Sequence, residues 1–236
     1  MVATFTTVSG WTPMVSKYLS GARTVEDTEA ELLDGEKVPL IQQPIRTNAR
    51  VIYFHTSQNP YGGWESMGIA GHSLGHYLTA IAIAHETTDD PERREQFRER
   101  ARYIVSEIIA CQQANGSGYA AAIPEGTRVF REVSEGEIRS AGFDLNGSWV
   151  PWYTMHKIMA GLFDAHRLVG IPEARGALIR MTDWVCDTTA HLDHETIQRM
   201  LACEHGGMNE IMAEVYRAMG ALDFQWKVVT PYHARC

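Results

Sequence analysis

A glycine pair, Gly206-Gly207, lies inside the densest group of side chains that could do chemistry. Two carboxylates, an imidazole and an amide surround it: Glu204, His205, Asn209 and Glu210. Glycines allow a ligand to approach the backbone closely, and the apolar spacing that follows predicts a helix whose first N–H groups can face a ligand. These features indicate a binding or acid–base site. The structural alternative is a capped helix start, with Asn209 as the cap and Glu204 interacting with the helix dipole.

The two carboxylates of this segment could also form a catalytic pair. Glycosidases place such a pair about 5 Å apart when they retain the anomeric configuration and about 6.5–9.5 Å apart when they invert it. The sequence does not give the separation of Glu204 and Glu210, so the pair is a hypothesis.

A second group of candidates is the histidine pair His72 and His76. Their spacing of four places both rings on one face of a helix. A metal site requires at least one further ligand, and the HExxH form is absent because Ser73 stands where its glutamate would be. Substrate hydrogen bonding or a structural role is therefore favoured over zinc. His156 opens a helix of similar pattern, which favours a shared role at one end of a barrel.

Trp64 and Glu65 follow a glycine-rich loop and suit a sugar. An aromatic ring can cover the apolar face of a sugar while a carboxylate accepts hydrogen bonds from its hydroxyl groups. A buried aromatic anchor is an equally good interpretation. The same two interpretations apply to the aromatic and amide residues of a later loop: Asn146, Trp149, Trp152 and Tyr153.

Composition excludes several classes of function. The chain has 236 residues, is 44% hydrophobic and carries a net charge of -8, as expected of a globular protein without a nucleic-acid partner. No stretch is apolar enough for a membrane span. No signal peptide is recognisable, so a cytoplasmic location is the default expectation. The four cysteines are widely spaced and form no CxxC pair.

The elements that must position these residues are repeated helical hairpins. Apolar periodicity predicts an inner helix over 73–86 and an outer helix over 92–113, and then a second pair over 156–168 and 173–187. A third inner helix includes Glu210 and ends near Gly220. Such repeats predict an all-α toroid or solenoid. Between the two hairpins, residues 129–133 suggest a short strand and residues 143–153 an aromatic loop.

The third hairpin is not completed in the sequence. After Gly220, Pro231 and the β-branched run before it do not suit an outer helix. The sequence thus divides into a poorly legible segment (1–60), a partial α/α barrel (61–220) and an atypical tail (221–236). We expect the unpaired inner helix to expose apolar surface, which a second copy could cover in a homodimer.

Four motifs resemble the β-L-arabinofuranosidase glycoside hydrolases, a family long filed as a domain of unknown function. They occur in the family's order between residues 61 and 220. They are Gly63-Trp64-Glu65, Gly71-His72-x-x-Gly75-His76-Tyr77-Leu78, Leu145-Asn146-Gly147-x-Trp149-Val150-Pro151-Trp152-Tyr153-x-x-His156-Lys157 and Glu204-x-Gly206-Gly207-Met208-Asn209-Glu210.

The resemblance implies an (α/α)6 barrel, normally followed by β-sandwich domains, and release of β-linked L-arabinofuranose from plant glycans. Members of the family are often exported, so a secreted or periplasmic location of the full-length protein is the alternative to a cytoplasmic one. It also implies a zinc-held cysteine nucleophile and a glutamate acid/base, whose motifs are not found in this chain. None of the four cysteines has the clustered setting of that zinc site, so the catalytic residues stay unknown and no metal ligand is assigned. Sugar binding is carried over to His156 and His205, and more weakly to Trp64, Glu65, His72, His76, Glu204 and Glu210.

The sequence thus predicts a hydrolase-family chain limited to about the first half of its barrel, with a carbohydrate as its partner. One alternative is a binding module that holds a pentose or oligosaccharide without turnover. A second is an α/α-barrel epimerase or lyase that uses His205 or His156 as a base.

Overall fold

The structure, a computed structural model, describes residues 67–204 and 206–219. The predictions for residues 1–60 and 221–236, and the candidates Trp64, Glu65 and His205, lie outside the described residues.

The described residues form seven helices and three very short strands. The helices are α1 (His72–Thr87), α2 (Pro91–Asn115), α3 (Gly126–Ser134), α4 (Pro151–Arg167), α5 (Pro172–Thr189), α6 (His194–Leu201) and α7 (Gly207–Met219). The strands β1 (Ser140–Ala141), β2 (Asp144–Leu145) and β3 (Ser148–Trp149) pair antiparallel in the order β1-β2-β3. The prediction of an all-α fold of helical hairpins, with minor strands in the connections, is confirmed.

The helices form an inner and an outer row. In the inner row, α1 packs against α4 over the largest helix–helix contact, and α7 also packs against α4. In the outer row, α2 contacts α1 and α5, and α5 contacts α4. Helix α1 is buried on most sides, as its sequence predicts, through residues that include Leu74, Tyr77, Leu78 and Ile81. This two-row order is what a toroid of helical hairpins requires.

Two glycines, Gly75 on α1 and Gly161 on α4, allow these inner helices to approach closely. A Cβ atom on Gly75 of α1 would lie 2.2 Å from the carbonyl carbon and oxygen of Lys157 on α4. Real Cβ atoms do not come so near to backbone, so only glycine permits this approach. The contact brings the first turns of α1 side by side with the first turns of α4.

Two helix starts differ from the sequence prediction. Helix α4 begins at Pro151 and not near His156, because proline is well suited to the first position of a helix. Helix α7 begins at Gly207. Asn209 therefore lies inside the first turn, and its assignment as a helix cap is wrong.

The predicted strand at residues 129–133 is also wrong, because this segment belongs to helix α3. Val129, Phe130 and Val133 are buried on one face. On another face, Arg128 and Glu132 form an ion pair of 2.8 Å across one helical turn. Helical spacing thus overrides the β-propensity of the valines.

The expected exposure of the third inner helix is not observed for its main apolar residues. Met208, Ile211, Met212 and Val215 are buried, whereas Tyr216 is exposed. The homodimer stays a prediction. No helix of residues 67–204 and 206–219 combines the length and the apolar character needed to cross a bilayer.

Candidate functional site

Tyr153, in the first turn of α4, stands at the centre of the polar cluster. Its hydroxyl oxygen lies 3.0 Å from Nε2 of His76 on α1, within hydrogen-bond distance. Its ring centroid lies 5.8 Å from that of His72 and 6.5 Å from that of His156. Burial raises the pKa of the Tyr153 hydroxyl, so that it stays protonated at neutral pH. The cluster therefore presents a phenol among three imidazoles.

The two histidines of α1 occupy different environments. His72 is buried, and its Nδ1 donates a hydrogen bond to the carbonyl oxygen of Ile69 at 2.7 Å. This bond fixes the proton of a neutral ring on Nδ1. His76 is half-buried and reaches Tyr153. The structure thus gives His72 a structural hydrogen bond and places His76 at the open side of the cluster.

His156 is a largely buried imidazole on the second turn of α4. Burial, reinforced by the neighbouring Lys157 ammonium, lowers its pKa to about 4. Gly207 of α7 packs against the ring, since a Cβ atom there would lie 2.4 Å from Nδ1. At neutral pH His156 is therefore uncharged, with one hydrogen-bond donor and one acceptor.

Lys157 supplies a cation beside the cluster. Its Nζ lies 5.1 Å from the centroid of the Tyr153 ring, close enough for a cation–π interaction. Burial lowers the pKa of Lys157, and the carboxylate of Glu210 on α7 partly offsets this effect. Glu210 itself is exposed. The first turns of the three inner helices thus contribute to one polar region.

Glu204 lies in the connection between α6 and α7 and points its carboxylate at the start of α4. The carboxylate accepts a hydrogen bond from the backbone N–H of Trp152, and a second one of 2.9 Å from that of Tyr153. Burial raises the pKa of Glu204 to about 7, and the two N–H groups act in the opposite direction. Both carboxylate oxygens are therefore engaged by protein backbone.

The aromatic residues of the preceding connection separate into two roles. Trp152 is buried and packs on Phe130 of α3, with ring centroids 4.7 Å apart. It is a structural anchor. Tyr153, the next residue, instead enters the histidine cluster.

The described residues do not fit the zinc–cysteine site that the resemblance implies. Among residues 67–204 and 206–219, no three His, Cys, Asp or Glu side chains are grouped as metal ligands. Burial raises the pKa of Cys111, Cys186 and Cys203 to about 12, which keeps each of them a thiol. None of these three cysteines belongs to such a group of ligands.

From the sequence, Tyr153 could be either a sugar-binding residue or an anchor and was not assigned to the site, and Lys157 was not considered for it. A signal was present, because Tyr153 precedes His156 by three positions and so lies on the same helical face. That signal depends on extending α4 back to Pro151. Of the selected residues, the structure brings His72, His76 and His156 around Tyr153, and it brings Glu204 and Glu210 to the neighbouring turns.

A comparison with known protein families identifies the family of the chain. The family model described as "Beta-L-arabinofuranosidase, GH127 catalytic domain" matches residues 25–227. The matched range includes every described residue and begins upstream of Tyr61, where the motif resemblance starts.

Proposed function

Because the chain belongs to the GH127 β-L-arabinofuranosidase family of glycoside hydrolases, we propose that it acts on β-linked L-arabinofuranosides of plant glycans. In this proposal, the cluster of His76, Tyr153 and His156 binds the sugar. The observation that carries this proposal is the meeting of these three side chains within the first two turns of α1 and α4, with His156 uncharged at neutral pH.

The cluster has the hydrogen-bonding chemistry that a pentose requires. Each sugar hydroxyl both donates and accepts, and so do a phenol hydroxyl and a neutral imidazole. Lys157 adds donors beside them. A charged imidazole would offer donors only, so the low pKa of His156 preserves an acceptor for the sugar.

Catalysis itself is not assigned to these residues. The resemblance implies a cysteine nucleophile, whereas the three described cysteines are buried or half-buried thiols. A second candidate function is sugar binding without turnover, which the hydrogen-bonding groups of the cluster support by themselves. Nothing favours an epimerase or lyase that uses His156, because an imidazole with a pKa of about 4 is a weak base at neutral pH.

The test combines turnover and binding with one matched pair of variants. Release of arabinose from a nitrophenyl β-L-arabinofuranoside supports the hydrolase, and arabinose binding without release supports the second candidate. Tyr153→Phe removes the hydroxyl at His76, and we expect it to weaken arabinose binding by about 3- to 10-fold.

The control is Tyr103→Phe, the same change on the outer helix α2. We expect it to leave arabinose affinity unchanged. Equal effects of the two variants, or no effect of Tyr153→Phe, would exclude the proposed site. Conversion of free arabinose to its epimer would instead establish the epimerase.

A further inference from the structure

We propose that Glu204 is a positioning residue: its carboxylate caps helix α4 from the α6–α7 connection and so holds Tyr153 and His156 in the cluster. Its effect on sugar affinity rests on the proposed function above, whereas its effect on the cluster geometry does not.

Helix α4 lacks a cap from its own segment. The residue before it, Val150, has no side-chain acceptor and adopts a left-handed conformation with φ 36°. Pro151 has no N–H, so the first backbone donors of the helix are those of Trp152 and Tyr153. Glu204 accepts from both. Glu204 thus supplies the side-chain acceptor that the local sequence lacks, while the N–H of Tyr153 also donates to the carbonyl oxygen of Val150 at 3.1 Å.

Helix α2 is capped by a carboxylate in the same way, but the carboxylate belongs to the residue directly before the helix. It also begins with a proline, Pro91, and the carboxylate of Asp90 accepts from the N–H groups of Glu92 and Arg93 at 2.9 and 3.2 Å. Asp90 is an adjacent and exposed residue. The acceptor of α4 instead comes from 52 residues beyond Trp152. The start of α4 is therefore held by the segment that leads into α7.

This segment contacts α4 at two successive turns. Glu204 binds the N–H of Tyr153, whose hydroxyl lies at His76. Gly207, three residues after Glu204, packs against the ring of His156. A change in the Glu204 contact therefore displaces the Tyr153 backbone and the cover of the His156 ring together.

The experiment compares two cap variants in the ligand-free protein. Glu204→Gln keeps the size of the side chain but offers one carbonyl oxygen, without charge, to two N–H groups. We expect it to shift the imidazole nitrogen NMR signals of His76 and His156. Asp90→Asn, the matched change on α2, is expected to leave both signals unchanged.

The second readout is arabinose affinity in a double-mutant cycle. If Glu204 acts through Tyr153, we expect Glu204→Gln to weaken binding by about 10-fold in the wild-type background and by less than about 2-fold in the Tyr153→Phe background. Equal effects in both backgrounds would contradict positioning through Tyr153.

Other outcomes also decide the matter. A lower melting temperature with unchanged histidine signals would make Glu204 a merely structural cap. Weaker sugar binding with unchanged signals would make it a direct sugar ligand. Both results overturn the proposal. If no arabinose binds the wild-type protein, the sugar site fails and the histidine signals still test the positioning. If Glu204→Gln does not fold, Glu204→Asp keeps the charge with a shorter reach and must shift the same signals.

Discussion

A Cβ atom on Gly161 would lie 2.8 Å from the carbonyl oxygen of Gly75, so the inner helices α1 and α4 meet backbone to backbone at these two residues. The contact lies beside His76, the next residue along α1. The geometry of the polar cluster therefore depends on two positions that carry no side chain.

We expect Gly75→Ala to destabilise the fold strongly. The new methyl group would lie 2.2 Å from the Lys157 carbonyl and must push α1 and α4 apart. Overpacking against backbone costs about 3 kcal/mol, which lowers the melting temperature of a chain of this size by roughly 6–12 °C. Thermal denaturation followed by circular dichroism measures the change.

Gly176→Ala on α5 is the matched control. A Cβ atom there meets only the end of the flexible Arg180 side chain, at 3.4 Å. Alanine is the better helix former, and we expect a stabilisation of about 0.5–1 kcal/mol. Similar losses in both variants would show that helix α1 does not approach α4 as closely as described.

The stability of the protein should fall in mild acid because of His156. Its pKa is about 4 in the fold and 6.5 in the reference state, so the unfolded chain takes up a proton first as the pH falls. The stabilisation is fully present above about pH 6.5 and is lost down to about pH 4, by about 3 kcal/mol in total. Urea denaturation at a series of pH values measures this loss.

His156→Asn separates this contribution from those of other titrating groups. His85, for example, also has a lowered pKa because it is buried. We expect the variant to have a flatter pH dependence than the wild type over the same interval. Parallel curves would mean that His156 is solvated in the folded protein.

Gln112 on α2 should be a strong determinant of stability. Its amide nitrogen donates to the carbonyl oxygens of Gly118 and Ala177 at 3.0 and 2.9 Å, and its oxygen accepts from Arg180 Nε at 2.9 Å. Gln112→Leu removes these three hydrogen bonds, which we expect to cost about 2–3 kcal/mol. Gln113→Leu, at the exposed neighbouring position, should change stability by less than about 0.5 kcal/mol. Urea denaturation measures the free energy of unfolding of both variants. Equal losses would show that the hydrogen bonds of Gln112 to Gly118, Ala177 and Arg180 do not stabilise the fold.

Substitution of two phenylalanines tests the aromatic anchor that Phe130, Trp152 and Trp184 form. Phe130 packs on Trp152 and Trp184 at 4.7 and 5.0 Å and is buried. Phe130→Ala should cost about 3–5 kcal/mol and reduce the near-ultraviolet circular dichroism of the tryptophans. Phe143→Ala, at a residue 69% exposed, should do neither. An unchanged tryptophan signal in Phe130→Ala would show that the anchor is not formed.

The hairpins were predictable from the sequence because each inner helix buries most of its surface. Leu74, Leu78 and Ile81 repeat with a helical period and are buried. This period can be recognised in the sequence before the helices that pack on it are known. The short helix α3 was not predictable from the same rule. Its valines favour a strand, whereas the shared buried face of Val129, Phe130 and Val133 and the packing of Phe130 against α4 and α5 fit a helix.

The histidines of the cluster were predictable by residue type and spacing, but their roles were not. His72 and His76 are one turn apart, yet only the tertiary structure shows that one binds the Ile69 carbonyl and the other meets Tyr153. The hydrogen-bond partners of the Glu204 carboxylate could not be predicted from the sequence either. Local sequence suggested the dipole of its own helix, whereas the hydrogen bonds join it to α4.

The distance along the chain between Glu204 and the helix it caps has a consequence for synthesis. A ribosome adds about 5–20 residues per second, so the 52 residues that separate Trp152 from Glu204 take roughly 3–10 s to appear. During that delay the N–H groups of Trp152 and Tyr153 lack the carboxylate of Glu204. The nascent chain can complete its first hairpin early, but the contacts of Glu204 and Gly207 with α4 form only after these residues have emerged.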